Sequence, residues 1–155
     1  MQNPFMKRAI ELAIANVEQG HGGPFAALVV KDGKVIAEGT NQVTTCNDPT
    51  AHAEVMAIRG ACRVLQSFQL TGCEIYTTCE PCPMCLGAIY WARPERVFFA
   101  STRSDAAQAG FDDSLIYDQI AVPSSQRQIP MAQIMREEAQ SAFHAWERKT
   151  DRQPY

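Results

Sequence analysis

The sequence has no long hydrophobic run, no surplus of positive charge, no internal repeat and no low-complexity tract. Apolar stretches such as residues 26–30 fall far short of the ~20 residues a membrane-crossing helix needs. Residues 1–14 offer no apolar block for a secretory signal; their apolar side chains recur at helical spacing, and a cytoplasmic protein is expected. Lys and Arg number 14 against 17 Asp and Glu, a net charge of -3, and the one basic cluster is a loose Arg148, Lys149 and Arg152. A phosphate-tracking surface normally shows a basic stripe, so neither nucleic acid nor membrane is expected as a partner.

Apolar residues are not scarce. At 46% hydrophobic and 20% charged over 155 residues, disorder is excluded, and a single domain over 1–155 can bury about two-thirds of its unfolded surface. Cysteines number six, an even count that would suggest disulfides in a secreted chain. Without an export signal, Cys82-Pro-Met-Cys85 reads better as a metal-binding pair, and Cys46, Cys62, Cys73 and Cys79 as buried or idle thiols.

Asn3-Pro4 opens a first helix in the order cap, then first-turn proline, and the helical spacing runs to Gly20. Residues 25–31 and 34–41 form a hairpin around Asp32-Gly33. Residues 42–47 are polar and irregular, and a second helix starts around Asp48-Pro49-Thr50 and ends near Phe68. Strands are predicted over 73–78 and 96–101, with a helix over 84–92 between them. Short helical pieces follow over 105–109 and 114–120; residues 129–134 are ambiguous, 137–148 are helical, and 150–155 form a tail. Alternating strands and helices in this order imply a layered α/β domain.

Two segments carry the chemistry: Thr50-Ala51-His52-Ala53-Glu54, and Thr78 through Cys85. Each falls at a predicted helix start, where free amide hydrogens and the positive dipole end favour thiolates. Cys82 and Cys85, three apart, share a helical face. With His52 they supply three ligands and leave a fourth tetrahedral position for water, the catalytic rather than structural zinc pattern. Such a site acidifies water to a pKa of about 7, and Glu54 would relay its proton. A redox Cys-x-x-Cys gives His52 and Glu54 no purpose, and a structural four-ligand site would need a further ligand such as Cys79. At about 100° per residue, Trp91 falls opposite Cys82 on its helix, a direction that, with Tyr90 alongside, suits a subunit contact.

The combination His52-x-Glu54 and Pro81-Cys82-x-x-Cys85 is similar to the signature of zinc nucleobase deaminases. The passages GGPFAALVVKDGKVIAEGTN, NDPTAHAEVMAIR, YTTCEPCPMCLGAIYWARPERVFFA and AGFDDSLIY extend this. Through them the chain resembles the cytidine-deaminase-like superfamily, and within it the small bacterial guanine deaminases. The resemblance implies a three-layer α/β/α fold with a five-stranded mixed sheet, one zinc on His52, Cys82 and Cys85, and Glu54 as proton shuttle. It implies that Asn41 hydrogen-bonds the purine, Phe25 stacks near it, Asp113 reads the guanine edge, and Trp91 and Tyr155 help enclose the base. It also implies a homodimer whose C-terminal segment exchanges between subunits, with residues 150–155 closing the site. The expected reaction is hydrolysis of free guanine to xanthine and ammonia. The rivals are tRNA adenosine deamination, cytosine or cytidine deamination and, outside enzymes, a structural zinc module.

Overall fold

The computed structural model describes residues 3–155, which form two compact units, one ending at Asp113 and one spanning Ser114–Tyr155. In the first unit, helix α1 (Pro4–Glu18) starts as the sequence predicts: the Asn3 side chain accepts from Met6 N–H at 2.9 Å and Pro4 fills the first turn. Strands β1 (Ala26–Lys31) and β2 (Lys34–Thr40) form an antiparallel hairpin. A single turn, α2 (Val43–Cys46), occupies the stretch expected to be irregular. Helix α3 (Ala53–Leu65) starts later and stops earlier than expected, closing at Gln66 in the left-handed conformation. Then follow β3 (Cys73–Cys79), α4 (Pro83–Ala92), β4 (Arg96–Ser101) and α5 (Arg103–Gln108).

The sheet order is β2-β1-β3-β4, with β1 antiparallel to both neighbours and β3 parallel to β4. Period-two alternation divides β1 between two cores. Ala27 and Val29 pack with Ala53, Ala57 and Ala61 of α3 and with Ile89 of α4. Leu28 and Val30 pack with Ala9 and Tyr76, flanked by Phe5, Met6 and Leu12 of α1. Helices thus cover both faces of the sheet. Gly39 sets the height of α3 above β2, since a Cβ there would lie 2.3 Å from Ala53 O and 2.4 Å from Ala57 N. That close approach brings the start of α3 down to the end of the sheet.

Among the described residues the sheet has four strands, which corrects the five implied by the resemblance. Beyond β4 the chain turns directly into α5, held by a capping box in which Thr102 and Asp105 bond reciprocally. The remaining apolar stretch, residues 129–134, carries Pro130, which cannot donate to a ladder, and it has no regular structure.

The second unit contains α6 (Ser114–Ala121), a short 3-10 turn and α7 (Arg136–Arg148). Arg127 Nε donates to Gln119 O at 3.0 Å, and Gln128 N–H to Gln119 Oε1 at 2.6 Å, tying the turn back to α6. The tail folds onto the end of α7 through Lys149–Asp151 and Arg152–Glu147 contacts. Among the described residues, no helix is long and apolar enough to cross a membrane.

Candidate active site

The described residues bury five polar side chains: Asn16, Asn41, Glu54, Thr77 and Thr78. Buried polar groups are costly unless bonded, and each of these is. Asn41 follows β2, Glu54 sits in the first turn of α3, and the two threonines lie near the end of β3. Of these, Thr77 and Glu54 meet at the start of α3.

His52 is the N-cap of α3 and Cys82 the N-cap of α4, both with extended backbone and neither using its side chain as a cap. Both side chains therefore remain available to a ligand. His52 Nδ1 lies 3.5 Å from Cys82 Sγ and 3.6 Å from Cys85 Sγ. A tetrahedral zinc with bonds of about 2.3 Å to sulfur and 2.0–2.1 Å to nitrogen separates those donors by about 3.6 Å. The spacing fits the ion, and the three residues form a group that could hold one zinc. Cys79 does not join it: its Sγ lies 3.6 Å from Thr102 O, and burial raises its thiol pKa to about 11.

Electrostatically the thiols divide their roles. The neighbouring Cys85 and His52 push the Cys82 thiol down to about 4, while that thiolate and burial push Cys85 up. The hydrogen bond with Cys82 raises His52. A divalent cation among these donors would favour both thiolates and a neutral imidazole.

Glu54 lies alongside. Its Oε1 accepts from Thr77 Oγ1 at 3.1 Å and its Oε2 from Cys85 Sγ at 3.4 Å. Burial raises its pKa, which the bonds from Cys85 and Thr77 partly offset. A carboxyl held in this way, beside a metal site, is suited to taking and returning protons.

Around this centre, the Asn41 carbonyl Oδ1 accepts from Gly23 N–H at 3.3 Å and Val43 N–H at 3.4 Å, so its Nδ2 hydrogens are what it can offer a ligand. Phe25 meets Phe111 edge-on, with ring centroids 4.9 Å apart. Asp113 is half-buried and its pKa is raised, chiefly by burial and also by the Cys82 charge, while Arg103 pulls it down. Its neighbour Asp112 is exposed. Trp91 is not brought to this cluster: it stands nine residues beyond Cys82, about 13 Å along the helix, and is 63% exposed. Tyr155 lies in the second unit, also exposed. Sequence reasoning missed Asn16, Thr77 and Phe111. A usable signal existed for Thr77, a polar residue in a strand whose other inner positions are apolar.

Fold and site together define a zinc-binding deaminase. The chain belongs to the cytidine and deoxycytidylate deaminases, its residues 1–101 matching their zinc-binding region. Its similarity is far more extensive to guanine deaminase of Bacillus subtilis (strain 168): 58% identity over 151 residues, covering 97% of each chain. The X-ray structure of guanine deaminase from Bacillus subtilis superimposes with a TM-score of 0.96 at 57% identity, covering 99% of both chains. A tRNA-specific adenosine deaminase of Aquifex aeolicus (strain VF5) is 44% identical over 97 residues, 63% of this chain and 64% of that one. A structure solved in complex with 2,6-diaminopurine has a TM-score of 0.68 at 37% identity, covering 70% of this chain and 61% of that one.

Proposed function

We propose that this protein hydrolyses free guanine to xanthine and ammonia, using one zinc on His52, Cys82 and Cys85. The observation that carries the chemistry is the imidazole–thiolate spacing of 3.5 and 3.6 Å with a buried carboxyl beside it. The choice of guanine is supported by likeness to a guanine deaminase along nearly the whole chain. Zinc, when bound, acidifies a water molecule so that it can attack at neutral pH.

Glu54 takes a proton from that water and delivers it to the ring nitrogen next to the amino-bearing carbon. It then passes the second proton to the departing amine, so that the carbon–nitrogen bond breaks to release ammonia. Thr77 anchors one oxygen of the carboxyl during these transfers. Asn41 gives its Nδ2 hydrogens to an acceptor on the purine, and Phe25, backed by Phe111, lies against the ring. Asp113, as an acceptor-only carboxylate, matches guanine's ring N–H and amino donors; adenine would leave it unpaired.

In this reading the protein acts in the cytoplasm as a homodimer with exchanged C-terminal segments, Tyr155 and Trp91 helping to enclose the base. Two features support the exchange. The first unit leaves an open apolar groove of about 630 Å³ lined by Ile10, Ile14, Val17 and Phe111. The second exposes Phe143 and Trp146 on α7. Patches of this kind mark interaction surfaces.

The deciding experiment measures ammonia release by the zinc-loaded protein from guanine, cytosine, adenine and a tRNA anticodon stem-loop. Guanine alone should react. Release from the stem-loop without release from guanine would replace this reading by the tRNA one.

A further inference from the structure

Asn16 stands in the last turn of α1, where asparagine is a poor helix former, yet it is only 4% exposed. Its side-chain nitrogen has two hydrogens and both are engaged: Nδ2 donates to Gly23 O and to Asn41 O, each at 2.9 Å. Those carbonyls belong to the loop before β1 and to the residue after β2, so one amide joins three segments.

The joint is closed by reciprocal bonds. Gly23 N–H donates to Asn41 Oδ1 at 3.3 Å, and Asn41 N–H donates to Phe25 O at 3.0 Å. Phe25 N–H shares the Gly23 carbonyl with Asn16 at 2.8 Å. The backbones are in direct contact, for a Cβ on Gly22 would lie 2.1 Å from Asn41 O. Asn41 is thereby held at its amide nitrogen, its carbonyl oxygen and its side-chain oxygen. A free asparagine amide can flip and present either donor or acceptor. This one is fixed with Oδ1 turned to the protein, so it can only donate outward.

From this arrangement we infer that Asn16 is a positioning residue for substrate. It acts through Asn41, holding the Nδ2 donor toward an acceptor, ring nitrogen or carbonyl oxygen, on the purine edge. This rests on the proposed purine-binding role of Asn41. Asn16 itself touches no substrate. Losing Asn16 releases the Asn41 carbonyl and the Gly23 carbonyl together, loosening the loop whose Gly23 N–H holds Oδ1, which weakens ground-state and transition-state binding alike and raises KM with kcat little changed.

The test is a double-mutant cycle on the zinc-loaded protein, with Asn16→Ala, Asn41→Ala and the pair. It is read as KM and kcat for guanine and as affinity for xanthine, which has no amino group to lose. Asn16→Ala is expected to raise KM and weaken xanthine binding about tenfold, with zinc content unchanged. In the Asn41→Ala background it should add less than about twofold, because the group it positions is gone. If Asn16→Ala does not fold, Asn16→Ser, which keeps one donor, carries the same cycle with a smaller loss. Unchanged KM and xanthine affinity, or effects that add independently of Asn41, would overturn the inference and leave Asn16 a purely structural staple. If the unmutated protein binds xanthine but does not deaminate guanine, only the functional reading falls, and the binding cycle decides the clamp. Failure both to deaminate guanine and to bind xanthine overturns both.

Discussion

The two compact units solve the problem of apolar surface in opposite ways. Up to Asp113 the chain encloses Leu28, Val29, Val30, Leu70 and Ile75 completely, and every buried side chain of the described residues lies there. Over Ser114–Tyr155 none is buried, and Ile129, Ile134, Phe143 and Tyr155 are each more than 60% exposed. The first unit therefore has a core that can fix side chains to a few tenths of an ångström, as the imidazole–thiolate spacing requires. The second has helices but no core, so covering its apolar side chains depends on what it meets. The metal-ligand cluster and its carboxyl sit on the unit with a core; the proposed function gives enclosure of the base to the unit without one.

The largest effect expected sharpens the first half of this contrast. Glu54→Gln keeps the carboxyl's shape but cannot carry a proton, and turnover should fall by about 10²–10⁴ or more with zinc content intact. The same substitution should stabilise the metal-free protein. Burial raises the pKa of Glu54, so as pH climbs past its unfolded value the chain loses stability until the folded pKa is passed. Glutamine avoids this penalty. Thermal unfolding of the metal-free pair should show the mutant ahead at neutral pH and the difference vanishing in acid. Near-normal turnover by Glu54→Gln would remove the residue from the mechanism.

Deleting residues 150–155 probes the other half. If the tail closes the site, guanine turnover should drop about a hundredfold through loss of positioning and water exclusion, while zinc content and melting temperature stay put. A large fall in melting temperature instead would show that the second unit carries core stability. Asp113→Ala comes next. Leaving guanine's donors without their acceptor costs about 1–3 kcal/mol, or roughly 5- to 150-fold in kcat/KM, and should narrow the preference over adenine. Should Asp112→Ala do this in its place, the base-reading carboxylate is the exposed neighbour.

Thr77→Val should give the smallest change: a few-fold loss in kcat at unchanged KM, repaired by Thr77→Ser, because one hydrogen bond of about 1 kcal/mol orients the carboxyl. An unaltered kcat for the valine variant would mean that the local backbone alone fixes Glu54.

What could be read from the sequence, and what could not, follows the range of the interactions. His52, Glu54, Cys82 and Cys85 were legible because each pair is local, set on a helix start by caps and prolines within a few residues. The hairpin and both helix-bearing segments were legible for the same reason. That the two helix starts lie 3.5 Å apart at their donor atoms is decided by packing of α3 and α4 on one face of the sheet. Thr77 reaches Glu54 across 23 positions of sequence, and Asn16 reaches Asn41 across 25. Strand register decides such pairs: Leu28 opposite Tyr76, and Ala26 opposite Thr40. Local propensity holds no record of register. The fifth strand failed for a related reason, since whether an edge gains another strand depends on where later chain can travel, and here a capping box and Pro130 send it elsewhere. The sequence by itself determined the ligand types, their helix-start placement and the alternation of layers, all products of short-range sterics and dipoles. Tertiary structure alone decided the donor spacing, the clamp on Asn41 and the anchored oxygen of Glu54, because only a packed sheet brings distant residues within hydrogen-bond reach.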